Sequence, residues 1–137
     1  MNVYLDIDGT LLQKDGSPAK GLHEFLEYMT ANHACYWLTT HCRREGDIEH
    51  VHEYLKPKLS ADTFELIRLI RPTTWNVMKT KAIDFEQDFR WFDDSVMVSE
   101  RLHLQKHGCL DKLIIVNLLE KDLTAINFKL RVEARVF

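Results

Sequence analysis

Apolar positions along the chain switch repeatedly between a strand-like run and a helical period. Val3 to Ile7 is a short apolar run closed by Gly9 and predicts a buried strand. Gln13 to Gly21 holds two glycines and Pro18 and predicts a loop. Leu22, Phe25, Leu26 and Met29 fall at helical spacing, so a helix is expected over Gly21–Asn32. Ala34 to Leu38 predicts a second strand. Ile48, Val51, His52 and Leu55 predict a second helix, stopped before Pro57. Phe64 to Ile70 mixes apolar residues with Glu65 and Arg68 and predicts a less buried strand, closed by Pro72. A short helix is expected over Val77–Phe85 and an apolar strand over Phe89–Phe92, ending in Asp93-Asp94. Val96 to Lys106 predicts a helix stopped by Gly108, Lys112 to Leu118 a last strand, and Leu123 to Val132 a last helix.

Strands alternating with helices predict an α/β, Rossmann-like three-layer sandwich, with a five-stranded parallel sheet covered by helices on both faces. The chain has 137 residues, which suits a single domain over 1–137. Its net charge of −3 exerts no general pull toward nucleic acid or an anionic membrane. The longest apolar stretch, Leu113 to Leu119 around Asn117, is too short to cross a bilayer. Cys35, Cys42 and Cys109 are odd in number and form no C-x-x-C pair. Reduced thiols and a cytoplasmic location are expected, since the chain also opens directly on its first strand with no leader pattern.

In open α/β sheets, ligands bind beyond the carboxyl ends of the strands, so the residues there carry the chemistry. The first strand ends in Asp6-Ile7-Asp8-Gly9-Thr10, the second in Thr39-Thr40 and the fourth in Asp93-Asp94, while Lys79 and Lys81 open the short helix. Four carboxylates are thus expected at one edge, where their repulsion calls for a cation. All-oxygen donors at a site for phosphate chemistry suit Mg²⁺. Gly9 bends the chain so that Asp6 and Asp8 can address one point, one as a nucleophile and the other as a proton donor. Such paired acids are costly to bury unless they serve a reaction.

Tyr4-Leu5-Asp6-Ile7-Asp8-Gly9-Thr10-Leu11 resembles the first motif of the haloacid dehalogenase (HAD) superfamily. Trp37-Leu38-Thr39-Thr40 resembles the second, Lys79 followed by Ile83 the third, and Phe92-Asp93-Asp94 the fourth, in family order over residues 3–94. The resemblance implies a sheet order of 3-2-1-4-5. It implies Asp6 as the phosphorylated nucleophile and Asp8 as general acid and base, with its backbone carbonyl on Mg²⁺. Thr39 would contact the phosphoryl group and Lys79 neutralise it, while Asp93 and Asp94, with Asp6, would anchor the metal. Thr40 and Lys81 remain alternatives to Thr39 and Lys79. Asp8 points to phosphoryl transfer rather than dehalogenation.

No stretch is long enough for the cap domain that many members carry, so an open site is expected. That opening admits a phosphorylated substrate of any size, including a macromolecule, with nucleic acid involved only as substrate. The expected activity is a Mg²⁺-dependent phosphate monoester phosphatase. Its rivals are a phospho-acceptor module resembling a receiver domain and a binding protein with little turnover. Arg43-Arg44 read as a solvated helix start, and His41, His50 and His52 match no strong zinc spacing.

Overall fold

The computed structural model describes residues 1–125. It contains β1 (Asn2–Leu5), α1 (Leu22–Asn32), β2 (Ala34–Trp37), α2 (Asp47–Leu55), α3 (Ala61–Ile67), β3 (Phe89–Asp93), α4 (Val98–Lys106) and β4 (Leu113–Ile115). Single 3-10 turns cover Lys56–Lys58, Lys79–Ala82 and Leu110–Lys112. The four strands form one parallel sheet in the order β2-β1-β3-β4.

Alternation along β1 sends successive side chains to opposite faces. Val3, Leu5 and Ile7 pack on one face with Phe25, Leu26 and Met29 of α1, Val51 and Leu55 of α2, and Ile67 of α3. Tyr4 lies on the other face with Leu38, Phe89, Trp91, Ile83 and Leu104 of α4. Both clusters consist of side chains almost wholly removed from water. Each fully buried large apolar side chain contributes roughly 1.5–3 kcal/mol, so the sheet is clamped from both sides and its strand ends are held in place. No helix among the described residues is long and apolar enough to cross a membrane.

The segment expected as a strand over Phe64–Ile70 instead forms the end of helix α3, to Ile67, and a turn over residues 68–70. Ser60 caps the helix, its hydroxyl accepting from the Thr63 N–H at 3.3 Å. Thr63, Ile67 and Ile70 are the buried positions, a helical spacing, while Phe64 and Leu66 are only half-buried. The Thr63 hydroxyl also meets His23 Nδ1 of α1 at 2.9 Å. The chain becomes extended only at Arg71, which makes one parallel bridge to the outer edge of β2. Its N–H donates to the Cys35 carbonyl at 2.9 Å and its carbonyl accepts from the Trp37 N–H at 2.8 Å. Beyond it the ladder stops: the Trp37 carbonyl accepts from the Thr73 hydroxyl at 2.5 Å. The five-stranded sheet is therefore a four-stranded one among the described residues.

The helix expected over Val77–Phe85 is only the 3-10 turn Lys79–Ala82, and the last strand is confined to Leu113–Ile115. Most of the helix expected over Leu123–Val132 lies outside the described residues.

Candidate active site

Register places the acidic residues side by side. Leu5 pairs with Phe92 across β1 and β3, so Asp6 and Asp93 both stand one residue further, at the carboxyl ends of adjacent strands. The Asp6 N–H still donates to the Phe92 carbonyl at 3.0 Å, which holds Asp6 in strand geometry. Beyond it, the N–H groups of Thr10, Leu11 and Leu12 all donate to the Ile7 carbonyl and curl the chain into a tight turn. Gly9 sits in that turn at φ +80°, and a methyl group there would collide with the Asp94 carboxylate. Only glycine lets the turn and Asp94 come this close.

Asp6, Asp93 and Asp94 each bring one carboxylate oxygen to within 4.8 Å of the others. Asp6 and Asp93 are almost completely buried, at 7% and 1% exposure. Lys79 reaches between them, its Nζ 2.7 Å from Asp93 Oδ2 and 3.4 Å from Asp6 Oδ1. The Thr10 hydroxyl donates to Asp6 Oδ2 at 3.5 Å and the Ser95 N–H to Asp93 Oδ1 at 3.1 Å. Three carboxylates thus face one ammonium.

The electrostatics follow. Burial pushes the Asp6 carboxyl up to about 7; Lys79 opposes the rise, while the charges of Asp93 and Asp94 add to it. Burial also raises Asp93, against the pull of Lys79 and the Ser95 N–H. Burial depresses the Lys79 ammonium, but Asp6 and Asp93 outweigh it and raise the group above its ordinary value. A further cation among these oxygens would favour the ionised forms of Asp6 and Asp93.

The structure separates the paired alternatives. Lys79 enters the acidic group, whereas Lys81 is exposed. Thr39 is buried at the end of β2, where its hydroxyl accepts from the His41 N–H at 3.3 Å, whereas Thr40 is exposed. Asp8 does not join the other three carboxylates. Its Oδ1 accepts from the Tyr54 hydroxyl and its Oδ2 faces His41 Nε2, each at 2.7 Å. Burial works to raise the Asp8 carboxyl, but these two hydrogen bonds overcome it and hold the group below its usual range. The same contact pushes the Tyr54 phenol up to about 12.

Arg43 stays outside the acidic group, its guanidinium 4.7 Å over the Trp75 ring and donating to the Asn76 carbonyl. Arg43 and Arg44 both donate their backbone N–H to Asp47 at the start of α2. The cysteines are free thiols; Cys35 and Cys42 are buried.

Glu100 is a site residue that carries no motif signal. It is 3% exposed on α4, yet its Oε2 accepts from the Lys79 N–H at 2.6 Å and its Oε1 from the Met97 N–H at 3.0 Å. His103 Nδ1 meets the Thr80 hydroxyl at 2.7 Å one turn further on. The lysine turn is therefore strapped to α4. Its only advance sign is an acid in the first turn of a helix, which is commonplace. Glu100→Ala leaves two amides without their acceptor and is expected to cost about 1–3 kcal/mol in urea unfolding. A loss below about 0.5 kcal/mol, the size of an ordinary surface substitution, would refute the strap.

Beside the acidic group, between Gly9, Lys14, Asp94 and the residues after β4, lies a cleft of about 520 Å³. Comparison with known protein families, with curated proteins and with solved structures finds no match to the chain.

Proposed function

We propose that the protein is a Mg²⁺-dependent phosphate monoester phosphatase of the HAD type, working through an aspartyl phosphate on Asp6. The observation that carries this reading is the strand-end cluster itself: a buried Asp6 with an ammonium at 3.4 Å and two further carboxylates whose oxygens lie within 4.8 Å. An all-oxygen set with excess negative charge suits a hard dication better than zinc. Asp6, Asp93 and Asp94 would hold it, with the Asp8 backbone carbonyl as a further ligand. When bound, Mg²⁺ supplies the positive charge that lets a carboxylate approach an anionic phosphate.

The chain's own residues then divide the work. A carboxylate oxygen of Asp6 attacks phosphorus, the bond from phosphorus to the leaving oxygen breaks, and Asp8 gives that oxygen its proton. Water next attacks phosphorus of the aspartyl phosphate. Asp8 takes the water's proton, and inorganic phosphate leaves with Asp6 restored. Lys79 offsets charge on the transferring group and the Thr39 hydroxyl orients it. Residues 10–33 are used in the first turn, a loop and α1, and residues 40–78 largely in α2, α3 and the Arg71 bridge. That economy supports an open site and a substrate that can be a macromolecule.

The test is to quench the protein during incubation with p-nitrophenyl phosphate and Mg²⁺, using borohydride. The reagent reduces an aspartyl phosphate, and peptide mass mapping finds where. Release of phosphate with reduction confined to Asp6 is expected. Turnover without reduction at Asp6 would overturn the mechanism, and a stable Asp6 phosphate without release would favour a phospho-acceptor module.

A further inference from the structure

The chain beyond β4 stays tied to β3 at the level of the acidic group, where the Val116 N–H donates to the Asp93 carbonyl at 2.9 Å. Asn117 then turns it. Its carbonyl accepts from the Glu120 and Lys121 N–H groups, each at 3.0 Å, and its Oδ1 from the Leu119 N–H at 3.1 Å. Past the turn, Leu123 is buried and its N–H donates to the Lys20 carbonyl at 3.2 Å. The turn is thus held at both ends, and what it carries outward is Leu119, 93% exposed. Ile115, the last residue of β4, is 44% exposed. A single exposed leucine is ordinary. These two, with Leu118, line the cleft of about 520 Å³ beside the acidic group.

The cleft opens directly off that group because Asp94 belongs to both. One of its carboxylate oxygens lies within 4.8 Å of oxygens of Asp6 and Asp93, and the residue also lines the cleft. Gly9, a second lining residue, has no Cβ to push Asp94 away. The neighbouring polar groups are already paired: Lys79 with Asp6 and Asp93, Asp8 with Tyr54 and His41. The charges of the cleft itself nearly cancel. Lys14 and Asp15 carry opposite signs, and the Ser17 hydroxyl and N–H, at 2.6 and 2.9 Å, hold the Asp15 carboxyl below its ordinary value. Asp94 would be taken up by the dication. What the cleft then offers a ligand is apolar surface.

We infer that this cleft is a leaving-group subsite, fitted to phosphate monoesters whose leaving group is large, neutral and apolar, such as a two-ring aryl group. The inference rests on the phosphatase reading above. Every monoester presents the same phosphoryl group to Asp6, Lys79 and a metal, so those contacts do not tell one ester from another. Discrimination falls to the surface that the rest of the ester covers. Small-molecule sites span about 300–1,000 Å³, and this cleft is larger than a two-ring group needs. Laying such a group against Ile115, Leu118 and Leu119 removes apolar surface of both partners from water, which is the source of its affinity. These three side chains touch no reacting atom and set specificity alone.

The experiment measures binding of two phosphonates that cannot be hydrolysed, methylphosphonate and 1-naphthylmethylphosphonate, to the full chain with Mg²⁺ by titration calorimetry. The naphthyl compound is expected to bind about tenfold or more tightly than the methyl compound. Leu119→Gln should cut that advantage roughly fivefold, and Leu119→Met, which keeps an apolar side chain of similar volume, should retain most of it. Leu102→Gln changes another exposed leucine, on α4 and outside the cleft, and should leave the advantage intact. Equal affinity for the two phosphonates, binding of neither, or an advantage that survives Leu119→Gln or falls equally in Leu102→Gln would overturn the subsite. Hydrolysis of 1-naphthyl phosphate is assayed alongside. Turnover without a naphthyl advantage in binding would keep the phosphatase reading and sink the subsite alone. A naphthyl advantage lost in Leu119→Gln, in a protein that hydrolyses no phosphate ester, would sink the phosphatase reading and the leaving-group role with it. Melting temperatures of the variants separate lost binding from lost fold.

Discussion

Asp6→Asn is expected to lower phosphate release by about 10⁴-fold or more and, in metal-free protein, to raise stability above pH 7. The first effect follows from removing the proposed nucleophile: an amide oxygen cannot form the acyl phosphate. The second follows from burial. Asp6 stands at about 7 in the fold, against an ordinary value of 3.8. A carboxyl raised by folding binds its proton more tightly in the native state than in the unfolded chain, so stability is fully present below pH 4, falls as pH rises to about 7 and levels off above it. The Asp6 share of that fall is on the order of 4 kcal/mol. An uncharged amide removes it. Urea unfolding in EDTA at pH 5 and pH 8 measures the difference: the gain of the variant over wild type should be at least twice as large at pH 8 as at pH 5. A variant less stable than wild type at both pH values would contradict the electrostatic account. A stability cost at Asp6 would match the pattern expected of a group kept for chemistry.

Lys79→Met carries the second large effect, with the opposite sign. Lys79 is the ammonium that stands between Asp6 and Asp93, with only 12% of its side chain exposed. Removing one partner of a buried charge pair costs about 3–5 kcal/mol, a large fraction of a typical domain's total stability. The cost depends on pH. At pH 8 Asp6, which stands at about 7 in the wild-type fold, is ionised and loses its counter-charge. At pH 5 Asp6 already carries a proton, so less is lost. Denaturation of the metal-free variant should show a larger deficit at pH 8 than at pH 5, and Mg²⁺ should restore part of it at pH 8. Turnover should fall by roughly 10²–10³-fold through lost stabilisation of the phosphoryl charge. Equal deficits at both pH values would show that Lys79 acts by packing alone.

Together the two variants test one arrangement from opposite sides. Excess negative charge is buried at the strand ends, so deleting an acid stabilises and deleting the base destabilises. Glu100 enters the same balance indirectly, through the backbone of the lysine turn rather than through charge contact with the amine.

Much of the fold was legible along the chain. Leu22, Phe25, Leu26 and Met29 announce α1, and they form its buried face. Phe89 to Phe92 announces β3, and three of its five residues are fully removed from water. Pro57 and Gly108 mark the regions where α2 and α4 end. Asp6 and Asp93 were found because strand ends collect ligand-facing groups and because two apolar strands stop there. The failures are equally physical. At Phe64–Ile70 half-buried residues mimic alternation, and the helical set Thr63, Ile67 and Ile70 is visible only once Thr63 is known to be buried against His23 of α1.

Local pattern therefore specified the α/β class, the parallel strands and the acids at their ends, because burial period and turn chemistry act over a few residues. Which side chains gather at the acidic group was decided by tertiary structure. Lys79 rather than Lys81 turns inward because Glu100, 21 residues away, holds its N–H. Asp8 turns from the other acids because Tyr54, 46 residues away, takes its carboxylate. Such contacts depend on how α2 and α4 pack around the strand ends, and hydrogen bonds between residues so far apart leave no period in the chain that makes them.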